Sequence, residues 1–315
     1  MARFAVRRIG QMVVVLFAVS VLTFVIFNVI PGGDPALRMA GRQPDPGQLA
    51  LIRAEWGFDK PVYVQYAKTM GQVFSGDLIS YSTQQNVIDE LKSRAPRTFA
   101  LAIGAAILWM VVSIALGLFT AVRAGRFSDR FLTVLALIGI SMPVFWIGAL
   151  MNYYLGFKWG LFPNGGYVPF DDGPWQWFNH LLMPWTALSI LFIGVYSRVL
   201  RSNVLDTMND DYVRTARAKG LSERQVLIRH VLRNSLIPIV TLWGLDFGLV
   251  VGGGAILTET VFDLEGVGQF AADAIGQLDV PPVLAITMFV AFFVVLLNAI
   301  VDILYAILDP RVRLQ

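Results

Sequence analysis

Few side chains in this sequence have the type and spacing that catalysis or metal binding requires. The 315 residues include no cysteine and only two histidines, His180 and His230, which excludes thiolate chemistry, Cys-based metal sites and a histidine-based metal centre. No G-x-x-x-x-G-K-[ST] phosphate loop, G-x-S-x-G elbow or H-E-x-x-H motif occurs. The nearest carboxylate pair, Asp171-Asp172, is typical of a solvated loop. We therefore predict no catalytic residue, no metal site and no cofactor in this chain.

A single acidic residue, Asp246, lies deep in an otherwise uncharged apolar stretch. A charge near the middle of a bilayer costs about 2.5–3.5 kcal/mol on translocon scales, so Asp246 should face a water-filled pathway or a polar partner on another helix. Glycines at 244, 248 and 252 recur every four residues and favour close packing of a neighbouring helix on the opposite side. We predict that Asp246 and Gly248 belong to a translocation pathway, and the polar partner stays the alternative.

The basic segment 211–238 carries two helical patterns. A short helix is predicted over Tyr212–Lys219 and is ended by Gly220, a residue type that commonly follows a helix C-terminus. Ser222 offers an N-cap for a second helix over Glu223–Leu236. Such a basic amphipathic segment could lie on anionic lipid or dock onto another protein, and the pattern alone favours neither.

The elements that must position these residues are predicted to be membrane-spanning helices. Hydrophobic residues make up 56% of the chain and charged residues 15%, against roughly 25% charged in an ordinary soluble domain. A helix needs about 20 apolar residues to cross a hydrocarbon core of roughly 30 Å. Stretches of this kind lie at 9–30, 98–122, 131–155, 181–197, 235–257 and 280–301. We predict an all-α integral membrane protein with six transmembrane helices, not a soluble protein or a nucleic-acid binder.

The distribution of basic residues between the short loops predicts the orientation of these helices. The basic residues of four regions are Arg3, Arg7 and Arg8; Arg123, Arg126 and Arg130; Arg198, Arg201, Arg214, Arg217, Lys219, Arg224, Arg229 and Arg233; and Arg311 and Arg313. The alternating loops 156–180 and 258–279 contain a single base, Lys158. Both termini and the loop 198–235 are therefore predicted to be cytoplasmic.

Segment 31–97 is expected to form a small external subdomain of short helices. It begins with several prolines and glycines and then becomes amphipathic over Leu49–Trp56 and Val62–Phe74. Its aromatic residues supply a core: Trp56, Phe58, Tyr63, Tyr66 and Phe74. The predicted organisation is thus an N-terminal tail and first span at 1–30, this subdomain at 31–97, and a transmembrane core at 98–315.

The segment Tyr212–Leu221, YVRTARAKGL, resembles a loop of the permease subunits of bacterial dipeptide, oligopeptide and nickel ABC transporters, in the first of their two permease types. Arg214, Thr215 and Ala216 stand in place of the E-A-A motif of the wider family, with only the last alanine in common. Other similar segments are Ile30-Pro31-Gly32-Gly33-Asp34-Pro35, Gly57-Phe58-Asp59-Lys60-Pro61, Arg94-Ala95-Pro96-Arg97-Thr98, Ser141-Met142-Pro143, Glu259-Thr260-Val261-Phe262 and Asp302–Arg313.

This resemblance implies a multi-pass protein of the bacterial inner membrane that works in a five-part, binding-protein-dependent importer. The implied partners are a second homologous permease, two ATPase subunits that bind ATP and magnesium, an external substrate-binding protein and the lipid bilayer, with no nucleic acid. The residues implied to contact the ATPase are Tyr212, Arg214, Thr215, Ala216, Arg217, Ala218, Lys219 and Gly220. Ser141 and Pro143 of the third span are added to the predicted pathway.

A secondary transporter or channel subunit is the alternative function. Such carriers usually show internal repeats and several intramembrane ionisable groups, whereas this chain has one deep charge and no obvious repeat. A membrane enzyme would need a polar catalytic constellation that the sequence lacks. The substrate is expected to be a peptide or a similar small molecule, and peptide, nickel chelate, haem, glutathione and oligosaccharide stay open.

Overall fold

The computed structural model describes residues 2–29, 35–39 and 45–308, which are mostly helical and contain no β-strand. The helices are α1 (Ala2–Phe24), α2 (Pro35–Met39), α3 (Pro46–Trp56), α4 (Val62–Ser75), α5 (Val87–Val122), α6 (Phe127–Ser141), α7 (Val144–Met151), α8 (Pro174–Thr207), α9 (Asp211–Ala218), α10 (Glu223–Gln225), α11 (Arg233–Leu249), α12 (Ile256–Val261), α13 (Val267–Gly276) and α14 (Val280–Leu308). π-Helical turns at Val25–Val29, Asn152–Lys158, Val226–Leu232 and Val250–Gly254 extend or join them. The predicted family-like segment 30–34 and the arginines Arg311 and Arg313 lie outside the described residues.

Within the described residues, five unbroken helices are long and apolar enough to cross a membrane. They are Gly10–Phe27, Val87–Val122, Pro174–Thr207, Glu223–Gly254 and Val280–Ile300. A sixth span is formed if α6 and the helix Val144–Lys158 are counted together, since they are separated by a bend of 100°. The predicted all-α fold is confirmed, and the predicted six spans are confirmed when the bent pair is counted as one span.

The third span differs from the continuous helix that the uncharged stretch 131–155 predicts. Met142, between α6 and α7, has φ −91° and ψ 130°, and Pro143 caps the N-terminus of α7. Proline has no N–H to donate and clashes with a helical conformation of the residue before it, so the chain becomes extended at this position. Pro96, Pro184 and Pro238 nevertheless lie inside helices, because neighbouring groups in a helical bundle can compensate for the missing bond.

The first of two compact units comprises Met1–Thr98 and Glu265–Leu296. Here α3 and α4 coincide with the two predicted amphipathic segments. The Ser20 and Tyr66 hydroxyls lie 2.7 Å apart and hold α4 against α1. The predicted aromatic core is only partly right, because Tyr63 is 74% exposed and Phe74 81% exposed. The unpredicted Tyr81 takes their place, with its ring edge-to-face with Trp56 and with Phe58.

A buried carboxylate anchors the loop before α5 in this first unit. Asp279, 3% exposed, accepts hydrogen bonds from the hydroxyls of Ser80 and Ser82, both at 2.5 Å, and from the Tyr81 and Ser82 amides at 3.0 and 3.2 Å. Burial and the nearby Asp279 carboxylate raise the pKa of the Tyr81 hydroxyl above its ordinary value. Asp279 is therefore a structural residue, whose buried carboxylate holds the loop 80–82 in place.

The second unit comprises Phe99–Leu264 and Leu297–Gln315, and its described part is organised around α8. α6, α7 and α11 all pack on α8. Small residues bring α5 and α6 against it: a Cβ on Gly104 would lie 2.0 Å from the Trp185 indole, and one on Gly194 would lie 2.8 Å from the Ala136 carbonyl. Such close packing of small residues is the usual means of helix association in membranes.

Three side chains of this unit donate hydrogen bonds to backbone carbonyls of α5. The Trp185 indole donates to Ala100 at 3.0 Å, and the Ser189 hydroxyl donates to Ala105 at 3.1 Å. The Trp243 indole of α11 donates to Ala106 at 3.0 Å. Each carbonyl has a second lone pair, so these bonds add to the helical hydrogen bonds of α5 without replacing them.

Candidate functional site

The short helix predicted in the basic loop is present as α9, Asp211–Ala218, one residue earlier than the sequence pattern places it. Asp211 lies in its first turn and Arg217 in its last, so both charges match the helix dipole. Gly220 follows with φ +80°, in the left-handed region, and a Cβ there would meet nothing within 4 Å. The predicted glycine turn is confirmed, and its cause is backbone conformation, not lack of space.

α9 has one face packed against its own chain and one face exposed. Val213 and Ala216 are 0% and 5% exposed, and α9 packs on the π-helical segment Val226–Leu232. Of the residues predicted to contact an ATPase, six are exposed: Tyr212, Arg214, Thr215, Ala218, Lys219 and Gly220. Ala216 instead lies on the packed face, so its methyl group anchors α9. The coupling role of the exposed residues stays a prediction.

Polar contacts fix α9 to the helix that follows it. The Tyr212 hydroxyl accepts a hydrogen bond from the Asn234 amide at 2.6 Å and lies 3.4 Å from the His230 carbonyl. Arg217 forms a bidentate pair with Glu223, with N–O distances of 3.0 and 3.3 Å. Asn234 and Glu223 are both absent from the predicted site.

The second helix of the loop begins where the sequence predicts but extends further. Ser222 and Gln225 form a reciprocal capping box, which confirms the predicted N-cap. The helix does not end at Leu236: it passes Pro238 and continues to Gly254. The loop helix and the predicted fifth span are thus one continuous element, so Asp246 lies on the same helix as the contacts to α9.

Asp246 has a polar partner on another span. Its Oδ2 accepts a hydrogen bond of 2.6 Å from the Tyr196 hydroxyl of α8, and the Asp246 side chain is half-buried. Tyr196 is 1% exposed and packs with Phe192 and Trp109, whose rings stack on each other at 4.4 Å. The alternative that the sequence left open for Asp246, a polar partner on another helix, is therefore present. Tyr196 was missed, although it is the one tyrosine in the apolar stretch 181–197.

The other predicted pathway residues occupy two separate places. Gly248 is buried, and a Cβ there would lie 3.7 Å from Leu297 and from Asn298 of α14, so it serves a helix contact. Ser141 and Pro143 are exposed at the bend between α6 and α7, where the Ser141 hydroxyl donates to the Leu137 carbonyl at 2.9 Å. Whether any of the four lines a pathway stays a prediction.

A second buried carboxylate, Asp129 in the first turn of α6, was also missed. Asp129, 3% exposed, accepts hydrogen bonds from Arg201 Nε and a terminal guanidinium nitrogen, both at 2.8 Å, and from the Gly125 amide at 2.8 Å. The ion pair joins the start of α6 to α8. Its α8 member, Arg201, lies ten residues before α9 begins. A lone acid among Arg123, Arg126 and Arg130 was the available signal.

Comparison with known proteins decides the family. Residues 113–314 match the family of the binding-protein-dependent transport system inner membrane component, and residues 1–102 match the N-terminal family of the same membrane components. The chain is 38% identical to a putative peptide transport system permease protein of Brucella abortus over 314 residues, 99% of each chain. It is 36% identical to the dipeptide transport system permease protein DppB of Escherichia coli K12, again over 99% of each chain.

The chain belongs to the binding-protein-dependent transport permease family. It is thus a multi-pass protein of the bacterial inner membrane and a permease subunit of an ATP-driven importer, as its resemblance implied. A probable peptide ABC transporter permease of Sinorhizobium fredii is 34% identical over 99% of this chain and 100% of its own. Within this permease family the chain is a transport subunit and not an enzyme, and membership also argues against a secondary transporter or channel.

Proposed function

We propose that this permease subunit transfers the energy of two separate ATPase subunits through α9 and carries peptides along a pathway that it forms with a second homologous permease. An external binding protein delivers the peptide. The observation that supports the coupling role is the geometry of α9, whose Val213–Ala216 face is packed while Arg214, Thr215 and Lys219 are exposed. A helix held in this way presents a basic surface that an acidic cleft can bind.

The peptide substrate is proposed from the names of the relatives and from one carboxylate. Proteins 34–38% identical to this chain are named as peptide or dipeptide permeases. Asp246 offers a partner for the N-terminal ammonium of a peptide, since Tyr196 occupies one carboxylate oxygen and an ionised carboxylate accepts further bonds on the other. The half-buried position of Asp246 would strengthen that contact relative to one in bulk water.

Replacing Gly220 by valine should uncouple ATP hydrolysis from transport. A β-branched residue in the left-handed region is strained by about 1–3 kcal/mol, so the turn after α9 would be displaced. We expect uptake per ATP hydrolysed to fall about fivefold or more, which corresponds to about 1 kcal/mol. The measurement is peptide uptake and ATPase activity of the importer reconstituted in vesicles.

Gly220→Asn is the matched control, because asparagine tolerates the left-handed region far better than valine does. It should retain most of the coupling. Equal uptake per ATP in the valine variant and the wild type would contradict the proposed role of α9.

Replacing Asp246 by asparagine should weaken uptake of peptides that carry a free N-terminal ammonium. The amide oxygen can still accept the Tyr196 hydrogen bond, so helix packing is kept while the charge is lost. We expect correct assembly and a roughly tenfold lower uptake, the equivalent of about 1.4 kcal/mol, with N-acetylated peptides affected much less.

Tyr196→Phe separates this role from a purely structural one, because it breaks the hydrogen bond and leaves the carboxylate. If Asp246 serves only helix packing, the phenylalanine variant should be impaired and the asparagine variant normal. Normal transport of ammonium-bearing peptides by Asp246→Asn would therefore refute the pathway role.

A further inference from the structure

α9 connects two long helices, but its side chains contact mainly one of them. Toward α8 it is joined by the turn 208–210, in which backbone amides bond to Val204, Asp206 and Thr207 carbonyls. Toward the following helix, it has a packed face on Val226–Leu232, the Arg217–Glu223 pair and the Tyr212–Asn234 hydrogen bond. The attachment is thus asymmetric, with a backbone turn on one side and a set of tertiary contacts on the other.

These contacts must determine where α9 lies, because isolated helices shorter than about 12–15 residues are marginally stable in water. The burial of Val213 and Ala216 holds α9 down, but apolar contact has little directional preference. The Tyr212–Asn234 bond is directional, and at 2.6 Å it fixes the N-terminal end of α9 over one turn of α11. Tyr212 is only 39% exposed, so its ring lies partly against the protein.

We infer that Tyr212 is a positioning residue that ties α9 to α11, so that the two helices move as one body while the turn 208–210 bends and the 3.2 Å hydroxyl contact between Ser235 and Thr207 opens. The inference rests on the proposed coupling role of α9. Asn234 and Asp246 are twelve residues apart on a continuous helix, which is about 18 Å along its axis. A displacement of α9 by a bound ATPase would therefore be carried by α11 to the Asp246–Tyr196 contact, and α8 would follow by the small sliding that packed helices permit.

Distances between spin labels in the full importer test this directly. The sequence has no cysteine, so labels can be attached in this chain at introduced cysteines alone. One pair, Asp211→Cys with Leu242→Cys, joins α9 to α11, and the other, Asp211→Cys with Val195→Cys, joins α9 to α8. All three positions are exposed. Asp211 is outside the predicted set of ATPase contacts.

Between the nucleotide-free and ATP-trapped importer, we expect the α9–α11 distance to stay constant and the α9–α8 distance to change. Adding Tyr212→Phe should broaden the α9–α11 distribution. An α9–α11 distance that changes as much as the α9–α8 distance would overturn the inference and leave the coupling role intact. If neither distance changes, the coupling role itself fails, and the inference fails with it.

Transport provides the second test. Tyr212→Phe and Asn234→Ala should each lower uptake per ATP hydrolysed at least threefold. The double variant should be no worse than either single variant, because both remove the same bond. Tyr153→Phe, which removes the hydroxyl of a 53% exposed tyrosine outside the loop, is the control and should have no effect. The inference would be overturned if the two losses in uptake per ATP hydrolysed added up in the double variant. It would also be overturned if Tyr212→Phe kept the wild-type uptake per ATP.

Discussion

Gly104→Ala should destabilise the second unit strongly, because even a single methyl group has no room between α5 and α8. A Cβ at this position would lie 2.0 Å from Cε2 and 2.2 Å from Nε1 of Trp185. Trp185 is 7% exposed and its indole donates to the Ala100 carbonyl, so the ring cannot move aside without losing that bond. Overpacking costs about 1–3 kcal/mol, and the lost interhelical bond adds about 0.6 kcal/mol or more.

The expected loss of roughly 2–4 kcal/mol in the free energy of unfolding is measurable by thermal unfolding of the purified permease in detergent. Gly71→Ala in α4 is the matched control, since a Cβ there meets nothing within 4 Å and alanine favours a helix over glycine. The loss in the double variant Gly104→Ala/Trp185→Ala should be smaller than the sum of the losses in the two single variants, because the steric clash is absent once the indole is removed. A Gly104→Ala protein as stable as the Gly71→Ala protein would show that the close α5–α8 contact is not formed.

Arg201→Gln should also destabilise the permease, because it leaves the Asp129 carboxylate buried without its partner. Removing one member of a buried ion pair typically costs 3–5 kcal/mol. The Arg201 side chain is 30% exposed, so water can partly replace it and we expect about 2–3 kcal/mol, near or below the lower end of that range. The loss is again measured by unfolding in detergent.

The double variant Asp129→Asn/Arg201→Gln should be more stable than Arg201→Gln alone, since no buried charge is left unpaired. Arg198→Gln, which changes an exposed arginine one turn earlier on α8, is the control and should lie within about 0.5 kcal/mol of the wild type. Equal losses for Arg198→Gln and Arg201→Gln would contradict a specific role for the pair.

The features that the sequence predicted correctly depend on local chemistry. Five of the six apolar stretches coincide with unbroken helices apolar enough to cross a membrane, because hydrophobicity is a property of the stretch itself. Gly220 ends a helix through its backbone conformation, and Ser222 begins one through its hydroxyl group. The family resemblance was equally accessible, because the segment Tyr212–Leu221 is contiguous.

The features that were missed depend on partners far apart in the chain. Tyr196 and Asp246 are 50 residues apart, and Arg201 and Asp129 are 72 apart. Each single residue has several possible roles, and only the packing of α6 and α11 on α8 selects one of them. The same holds for Pro143, which breaks its span while Pro184 does not, since that outcome depends on whether neighbouring helices replace the lost hydrogen bond.

The hydrogen bonds from Trp185, Ser189 and Trp243 to carbonyls of α5 limit how this permease can change shape. Sliding α5 along its axis would break all three at once. Tilting α5 about a point between Ala100 and Ala106 would stretch them less, because all three acceptors lie within two turns of the helix. We therefore expect α5 to tilt as a rigid body about these carbonyls. Its two ends would then move in opposite directions, so that the permease closes at one end as it opens at the other.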